Sequence, residues 1–368
     1  MFNNTLWPMS IDRASPVAMY FQLAAALKGR ILHSGMKIGD QLPTVRDLIK
    51  EYGVSLPVVR QALNLLQQEG ILAIEQGKGT FIAQMPKPAL NSGAGSVLFL
   101  SIARPSTDPF FAHVLAGFER LAAREDISVL FGQSAADPQQ ALTVIRTRGA
   151  AGVVLSGDVP AALVTALSTS GTPFVCAGIP QQPEAPVGVS WVANDDFTGA
   201  YQAVQHLLAM GHKRIGCVGG NLTAHYWRQR HAGYCQALTH ASIAIDPVLH
   251  VMGAGDDSDF GAAAFEMLLS IASPPTAVFA CNDRFARGGY RVARERGLRI
   301  PDDLSIVGFD DLAFAVEMHP ALTTIHAEME VLGETAFRLL ADLLAGGSPR
   351  QVTLPVHLVP RGSVAPHR

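Results

Sequence analysis

The sequence is poor in charge, in cysteine and in long apolar runs. Charged residues fill 16% of its 368 positions and hydrophobic ones 48%, a balance that excludes wholesale disorder and a coiled coil. Its four cysteines, Cys176, Cys217, Cys235 and Cys281, form no CxxC pair. Neither a disulfide framework nor a zinc site is expected from them, and no cofactor. No apolar run approaches the ~18 residues of a membrane helix. Met1–Ser10 shows no basic stretch followed by an apolar block, so a cytoplasmic location is expected rather than secretion. No GxGxxG follows the first strand-like run, and neither HExxH nor GxSxG occurs. The plainest signs of a dinucleotide enzyme, a zinc protease and a hydrolase are therefore missing.

The charge that is present is unevenly spread. Residues 1–95 carry a net +3 and residues 96–368 a net −6, so a polyanionic partner is expected for the head alone. Residues 84–95, rich in Pro, Gly and Ser, read as a linker between a head over 1–83 and a body over 96–368. In the head, Ser15-Pro16 caps and opens a helix. Its apolar residues keep helical spacing from Val17 to Ile31, and Gly35 ends it. Thr44 caps a short helix closed by Gly53. Ser55 caps a third helix, with Leu63 and Leu66 facing inward and Gly70 as the stop. Two apolar runs, Ile71–Ile74 and Thr80–Ile82, flank a glycine-rich hairpin tip. This is the order of a winged helix-turn-helix, in which the helix after the turn enters the major groove. Arg60 lies early in that helix and Arg46 at the start of the one before. The tip Gln76-Gly77-Lys78-Gly79 can approach a DNA backbone closely because glycine has no side chain.

The stretches GDQLPTVRDL, GVS, VRQAL and QGKGTF, all within Tyr20–Ile82, resemble the DNA-binding domain of the gluconate-repressor (GntR) family. The resemblance implies that Arg46, Ser55, Arg60, Gln76 and Gly77 contact DNA, with Lys78 supplying charge at the tip. Leu56 and Pro57 stand where that family usually has polar residues. Pro57 suits a first helical turn, and Leu56 can touch a thymine methyl, so both belong to the DNA-facing set.

From Val97 onward, apolar runs alternate with helical stretches. The runs are VLFLSI, ISVLF, AGVVLS and TPFVCAG, then RIGCVGG, LHVMGAG, TAVFACN and LSIVGFD. Continuous apolar strands between helices predict an α/β body whose parallel sheets are covered on both faces. Two such halves side by side make a cleft, and ligands of open α/β sheets bind at the carboxyl ends of the strands. One helix is expected over Arg228–Thr239.

The stretches STDPFFAHVLAGFE, NDDFTGAYQAVQHLLAMGHKRIGCVGG, RHAGYCQAL and PPTAVFACNDRFARGGYRVARERGLRIPDDLSIVGFDD resemble the effector domain of the lactose-repressor (LacI) family, which is related to periplasmic sugar-binding proteins. The resemblance implies two Rossmann-like subdomains joined by three crossovers. One would cover about 96–193 with 329–354, the other about 194–328 with 355–368. It also implies an effector held by Asp108, Phe110, Arg230, Asn282 and Asp310. Of the adjacent aromatics, Phe110 is expected in the cleft and Phe111 in the core. Such a set suits a polyol, because donors and acceptors meet vicinal hydroxyls while an aromatic covers an apolar face. Where the family often has Asp-Arg, this chain has Gly178-Ile179. One hydroxyl-binding carboxylate is missing, which implies either a differently substituted ligand or compensation by His225, Tyr226 and Trp227. The fusion of this head to this body is similar to regulators of the arabinose-repressor type.

The expectation is a ligand-responsive transcriptional repressor that binds double-stranded operator DNA as a homodimer. A sugar or sugar derivative would release it, and a co-repressor that favours the DNA-bound state is equally permitted by the sequence. The competing readings are a metabolic enzyme on a Rossmann-like body and a solute-binding module.

Overall fold

The computed structural model describes residues 11, 18–33, 36–75, 78–85, 96–104, 108–180, 188–255 and 257–367. The chain divides into two compact units, Met1–Gly95 with Ala341–Ser348 and Ser96–Leu340 with Pro349–Arg368. Ser15, Pro16, Val17, Gly35, Gln76, Gly77 and residues 86–95 lie outside the described residues.

The first unit contains α1 (Met19–His33), α2 (Val45–Tyr52), α3 (Leu56–Gln68), β1 (Leu72–Glu75) and β2 (Gly79–Ile82). Thr44 and Asp47 form a reciprocal capping box at the start of α2, and Gly53 ends that helix at φ +63°. Both ends of this short helix are thus fixed locally, which sets the turn into α3. Ser55 occupies the N-cap position of α3 but its side chain makes no cap hydrogen bond, and Pro57 sits in the first turn. Leu23, Leu27 and Ile31 of α1, Leu48 of α2 and Val59, Leu63 and Leu66 of α3 share one core with Leu72 and Ile82. The hairpin pairs antiparallel from Leu72↔Ile82 to Glu75↔Gly79. The structure is a winged helix-turn-helix.

The second unit runs β3 (Ser96–Ile102), α4 (Pro109–Arg124), β4 (Ser128–Ser134), α5 (Pro138–Arg148), β5 (Gly152–Gly157), α6 (Ala161–Ser170), β6 (Phe174–Ala177) and β7 (Ser190–Asn194). It continues with α7 (Asp196–Ala209), β8 (Ile215–Gly219), α8 (His225–His240), β9 (His250–Met252), α9 (Ser258–Leu269), β10 (Ala277–Ala280), α10 (Asp283–Glu295) and β11 (Ser305–Asp310). Last come β12 (Thr323–His326), α11 (Met329–Leu344, which belongs to this unit as far as Leu340), β13 (Gln351–Leu354) and β14 (His357–Val359). The order β13-β7-β6-β5-β3-β4 forms one six-stranded sheet and β14-β12-β11-β10-β8-β9 another. The first is wholly parallel. The second is parallel except for β14. The chain passes between the sheets three times, after β7, after β12 and after β13.

Continuous burial along β3 and β11 matches strands covered on both faces. Helix α11 returns to the first sheet through a close approach to α4. A Cβ on Gly333 would lie 1.9 Å from the Val114 carbonyl oxygen, and one on Gly117 would lie 2.0 Å from that of Glu330. Phe118 of α4 then meets Phe337 of α11 edge to face, ring centroids 5.4 Å apart.

Three features depart from the expectation. Each sheet has six strands where four apolar runs were read; β7 and β13 extend one, β12 and β14 the other. Those strands span only three to five residues, and β13 and β14 keep exposed positions. Nothing in their periodicity separates them from loop. Helix α8 begins at His225, three residues before the expected start, so His225, Tyr226 and Trp227 form its first turn. Phe111 is not in the core: it lines the cleft beside Phe110.

Candidate functional site

In the first unit, Arg46, Ser55, Leu56, Pro57 and Arg60 are all solvent-exposed. Leu56, at 40% exposure, is a large apolar side chain with no core to join. The guanidiniums of Arg46 and Arg60 form no ion pair or hydrogen bond among the described residues. Lys78 is also exposed, but its Nζ lies 3.0 Å from Glu75 Oε2 across the hairpin. Its backbone carbonyl accepts a hydrogen bond from Gln41 Nε2 (3.0 Å), which ties the hairpin tip to the segment before α2.

In the second unit, the carboxyl ends of both sheets' strands face one cavity with about 720 Å³ of empty space, including its open mouth. Asp108, Phe110, Arg230, Asn282 and Asp310 all line it. Each is placed by local structure. Asp108 N-caps α4 and accepts from the Phe110 amide (3.1 Å). Asn282 N-caps α10 and accepts from the Phe285 amide (2.7 Å). Arg230 projects from the second turn of α8. Asp310 ends β11 at φ +107° and Asp311 follows at φ +58°. This left-handed pair costs about 1–3 kcal/mol per residue, and the next residues hold it. Asp283, fully buried, accepts from the Leu312 amide (2.7 Å) and from Thr324 Oγ1 (2.6 Å). Arg361 binds Asp311 at 2.6 Å.

Arg230 is the electrostatic centre. Its Nε donates to Asp196 (2.8 Å), its Nη1 donates to the Cys281 carbonyl (2.5 Å), and its Nη2 lies 3.1 Å from Asp310 Oδ1. Its guanidinium sits 3.6 Å over the centre of the Phe309 ring and 5.5 Å from that of Trp227. Burial opposes its charge, but Asp310 and Asp196 outweigh burial and hold its pKa above the usual value. Burial pushes the Asp310 carboxyl up to about 6, against the pull of Arg230 and Arg284. Burial raises Asp196 as well, again opposed by Arg230.

Among the described residues, an ion pair and a tyrosine-centred cluster join the halves across the cleft. Arg284 Nη2, from α10, lies 3.0 Å from Asp108 Oδ2. Tyr226, from α8, donates to Asp158 Oδ1 (3.0 Å) and meets Arg104, which itself pairs with Asp158 at 3.1 Å. Arg104, Asp158 and Arg284 were missed in the sequence. All three follow the carboxyl ends of β3, β5 and β10, the one signal that could have found them. Gly178 lines the cavity at φ +114° with nothing within 4 Å of a would-be Cβ. Space for the family's carboxylate exists there, but this backbone conformation disfavours any side chain.

Residues 19–82 match the family model described as bacterial regulatory proteins, gntR family, and residues 204–364 match the periplasmic binding protein-like domain. The repressor CytR of Escherichia coli strain K12 is 35% identical over 265 residues, covering 70% of this chain and 76% of CytR. The chain belongs to the family of LacI-type transcriptional repressors. The repressor PurR of Haemophilus influenzae strain PittEE is 30% identical over 315 residues, covering 82% of this chain and 91% of PurR. Among solved structures, a LacI family regulator from Enterococcus faecium with bound ribose superposes at a TM-score of 0.66 with 28% identity. It covers 74% of this chain and all of that one. The gntR-family match gives the chain a DNA-binding head of GntR type, and the periplasmic binding protein-like match with LacI-type membership gives it a ligand-binding body. No described helix is long and apolar enough to cross a membrane.

Proposed function

We propose that this repressor is a cytoplasmic homodimer that leaves its operator when a sugar or sugar derivative enters the cleft of the second unit. It needs no cofactor and catalyses no reaction. The observation that carries the reading is the convergence of Asp108, Phe110, Arg230, Asn282 and Asp310 on one cavity. Ribose in the Enterococcus faecium regulator supports a sugar-like effector.

The cleft joins two halves linked by three chain crossings and bridged by Arg284–Asp108 and Tyr226–Asp158. A ligand that binds one arrangement of the halves better than another shifts their equilibrium, and only that difference in affinity can be passed on to DNA. Operator contact falls to Arg46, Ser55, Leu56, Pro57, Arg60 and Lys78, together with Gln76 and Gly77. A dimer places two such heads on a two-fold operator. The test is a titration of full-length protein against operator DNA with and without a ligand found by thermal-shift screening of sugars. The expected result is weaker operator binding with ligand. Unchanged operator affinity at saturating ligand overturns the reading.

A further inference from the structure

The polar atoms of the cleft describe the ligand's own polar edge. Three guanidiniums line it, and each already has a carboxylate: Arg230 has Asp196 and Asp310, Arg284 has Asp108, and Arg104 has Asp158. Three cations therefore face four carboxylates, with no positive charge left for an anionic ligand. The oxygens tell the same story. Asp108 Oδ2, Asn194 Oδ1 and Asp310 Oδ1 are buried on cavity-lining residues and accept no hydrogen bond. For the two aspartates the arginine contacts are ion pairs at 3.0 and 3.1 Å without hydrogen-bond geometry. An ionised carboxylate can only accept, so both ion-paired oxygens keep capacity for a donor, and Asn194 Oδ1 has neither an ion pair nor a hydrogen bond to offset its burial. Asn194 stands at the end of β7, 8% exposed, where the chain first crosses between the sheets. Around these acceptors lie the rings of Phe110, Phe111, Tyr226 and Trp227.

Resting on the cleft reading above, we propose that the site selects an uncharged small molecule that presents several O–H or N–H donors beside a flat apolar face. We further propose that Asn194 is one of the residues that reads those donors. Phosphorylated or carboxylated forms of the same molecule are rejected. Such a group would sit among carboxylates that can give it no hydrogen bond, and every nearby guanidinium is already engaged. Rejection is then built from repulsion as well as from fit.

The test is calorimetry on the full-length protein with matched probes. Aldopentoses, aldohexoses and ribonucleosides are each titrated beside their phosphate esters, and the aldoses also beside their aldonic acids. The expected result is that a neutral probe binds at least 100-fold more tightly than its anionic partner. Asn194→Ala is expected to weaken the neutral probe about tenfold and to leave the preference for neutral over anionic in place. Asp310→Asn removes a negative charge and is expected to narrow that preference, an effect that loss of folding would not mimic. A phosphate ester or acid that binds as tightly as its neutral partner overturns the proposal. If its binding also responds to Asp310→Asn, the cleft reading survives. A neutral probe whose binding ignores both substitutions lies elsewhere, and that overturns the cleft reading and this proposal together. Binding of no probe in either class does the same.

Discussion

The exposed face of the winged head and the buried cleft of the body use arginine in opposite ways. Arg46 and Arg60 stand in solvent, with no ion pair or hydrogen bond from their guanidiniums among the described residues. Arg230 is 4% exposed and held by two carboxylates, a carbonyl and two aromatic rings. The first arrangement keeps charge available for a polyanion at no cost to the fold. The second makes a cavity-lining residue into a structural one, because a buried charge must be matched before any ligand arrives. Substitutions in the head should therefore change binding without changing stability. Substitutions in the cleft should change both.

The largest effect that follows is on Arg230→Ala. It leaves Asp196 and Asp310 buried without their shared cation, and removing one partner of a buried pair costs about 3–5 kcal/mol. Urea unfolding of the body's transition is the measurement. A variant as stable as the parent breaks the comparison, because Arg230 would then be no more embedded than Arg60. Next in size, Arg60→Ala should weaken operator binding by about 1–3 kcal/mol if it reads a base and change stability by no more than about 0.5 kcal/mol. Undiminished operator affinity in a folded Arg60→Ala protein removes Arg60 from the DNA-facing set.

The same contrast governs what could be read in the sequence. Helix α2 was legible because its ends are local: Thr44 and Asp47 are three residues apart, and Gly53 closes the turn. Asp108 and Asn282 were likewise legible as residues following apolar strands. The Arg104–Asp158–Tyr226 cluster was not, since Arg104 and Tyr226 are 122 positions apart and meet only through packing of two subdomains. Nor was the left-handed turn at Asp310 and Asp311. No glycine marks it, and it depends on Asp283 accepting from a backbone amide 29 residues away. Strands β13 and β14 carry too few residues to show a period. What failed to show in the sequence is what only tertiary contacts fix.

A smaller effect separates the regions by pH. Burial raises Asp310 to about 6 from an ordinary value of 3.8. The folded state thus disfavours its charged form. Its destabilising contribution is fully present at neutral pH and relieved as pH falls through about 6 toward 4. Ligand binding responds the other way, because protonation removes an acceptor and weakens the pair with Arg230. Affinity for the effector should fall about twofold at pH 6 and about tenfold at pH 5, by simple titration of one carboxylate. Calorimetry across that range, repeated on Asp310→Asn, is the check. The variant should lose this pH response. Equal pH dependence in the two proteins assigns the titration to another group, with buried Asp196 and Asp283 the nearest alternatives.

The smallest effect tests whether the head's charges are as available as they look. Among the described residues, Lys78 is the basic residue of its DNA-facing set with an ionic partner, Glu75, at 3.0 Å. Side chains 74% and 51% exposed make this a solvent-screened pair, of the kind worth about 0–1 kcal/mol. A DNA phosphate can replace Glu75 at little cost. Lys78→Ala should therefore weaken specific and non-specific DNA about equally and reduce the slope of log affinity against log salt by about one. Glu75→Ala should do the reverse, strengthening DNA binding slightly and leaving sequence preference unchanged, because it removes both a competitor for Lys78 and a negative charge facing the phosphates. If Lys78→Ala changes neither affinity nor salt slope while Arg60→Ala changes both, the ion pair holds the hairpin for the fold. The division between a DNA-facing surface whose charges are available and a cleft whose charges are engaged would then run through the wing itself.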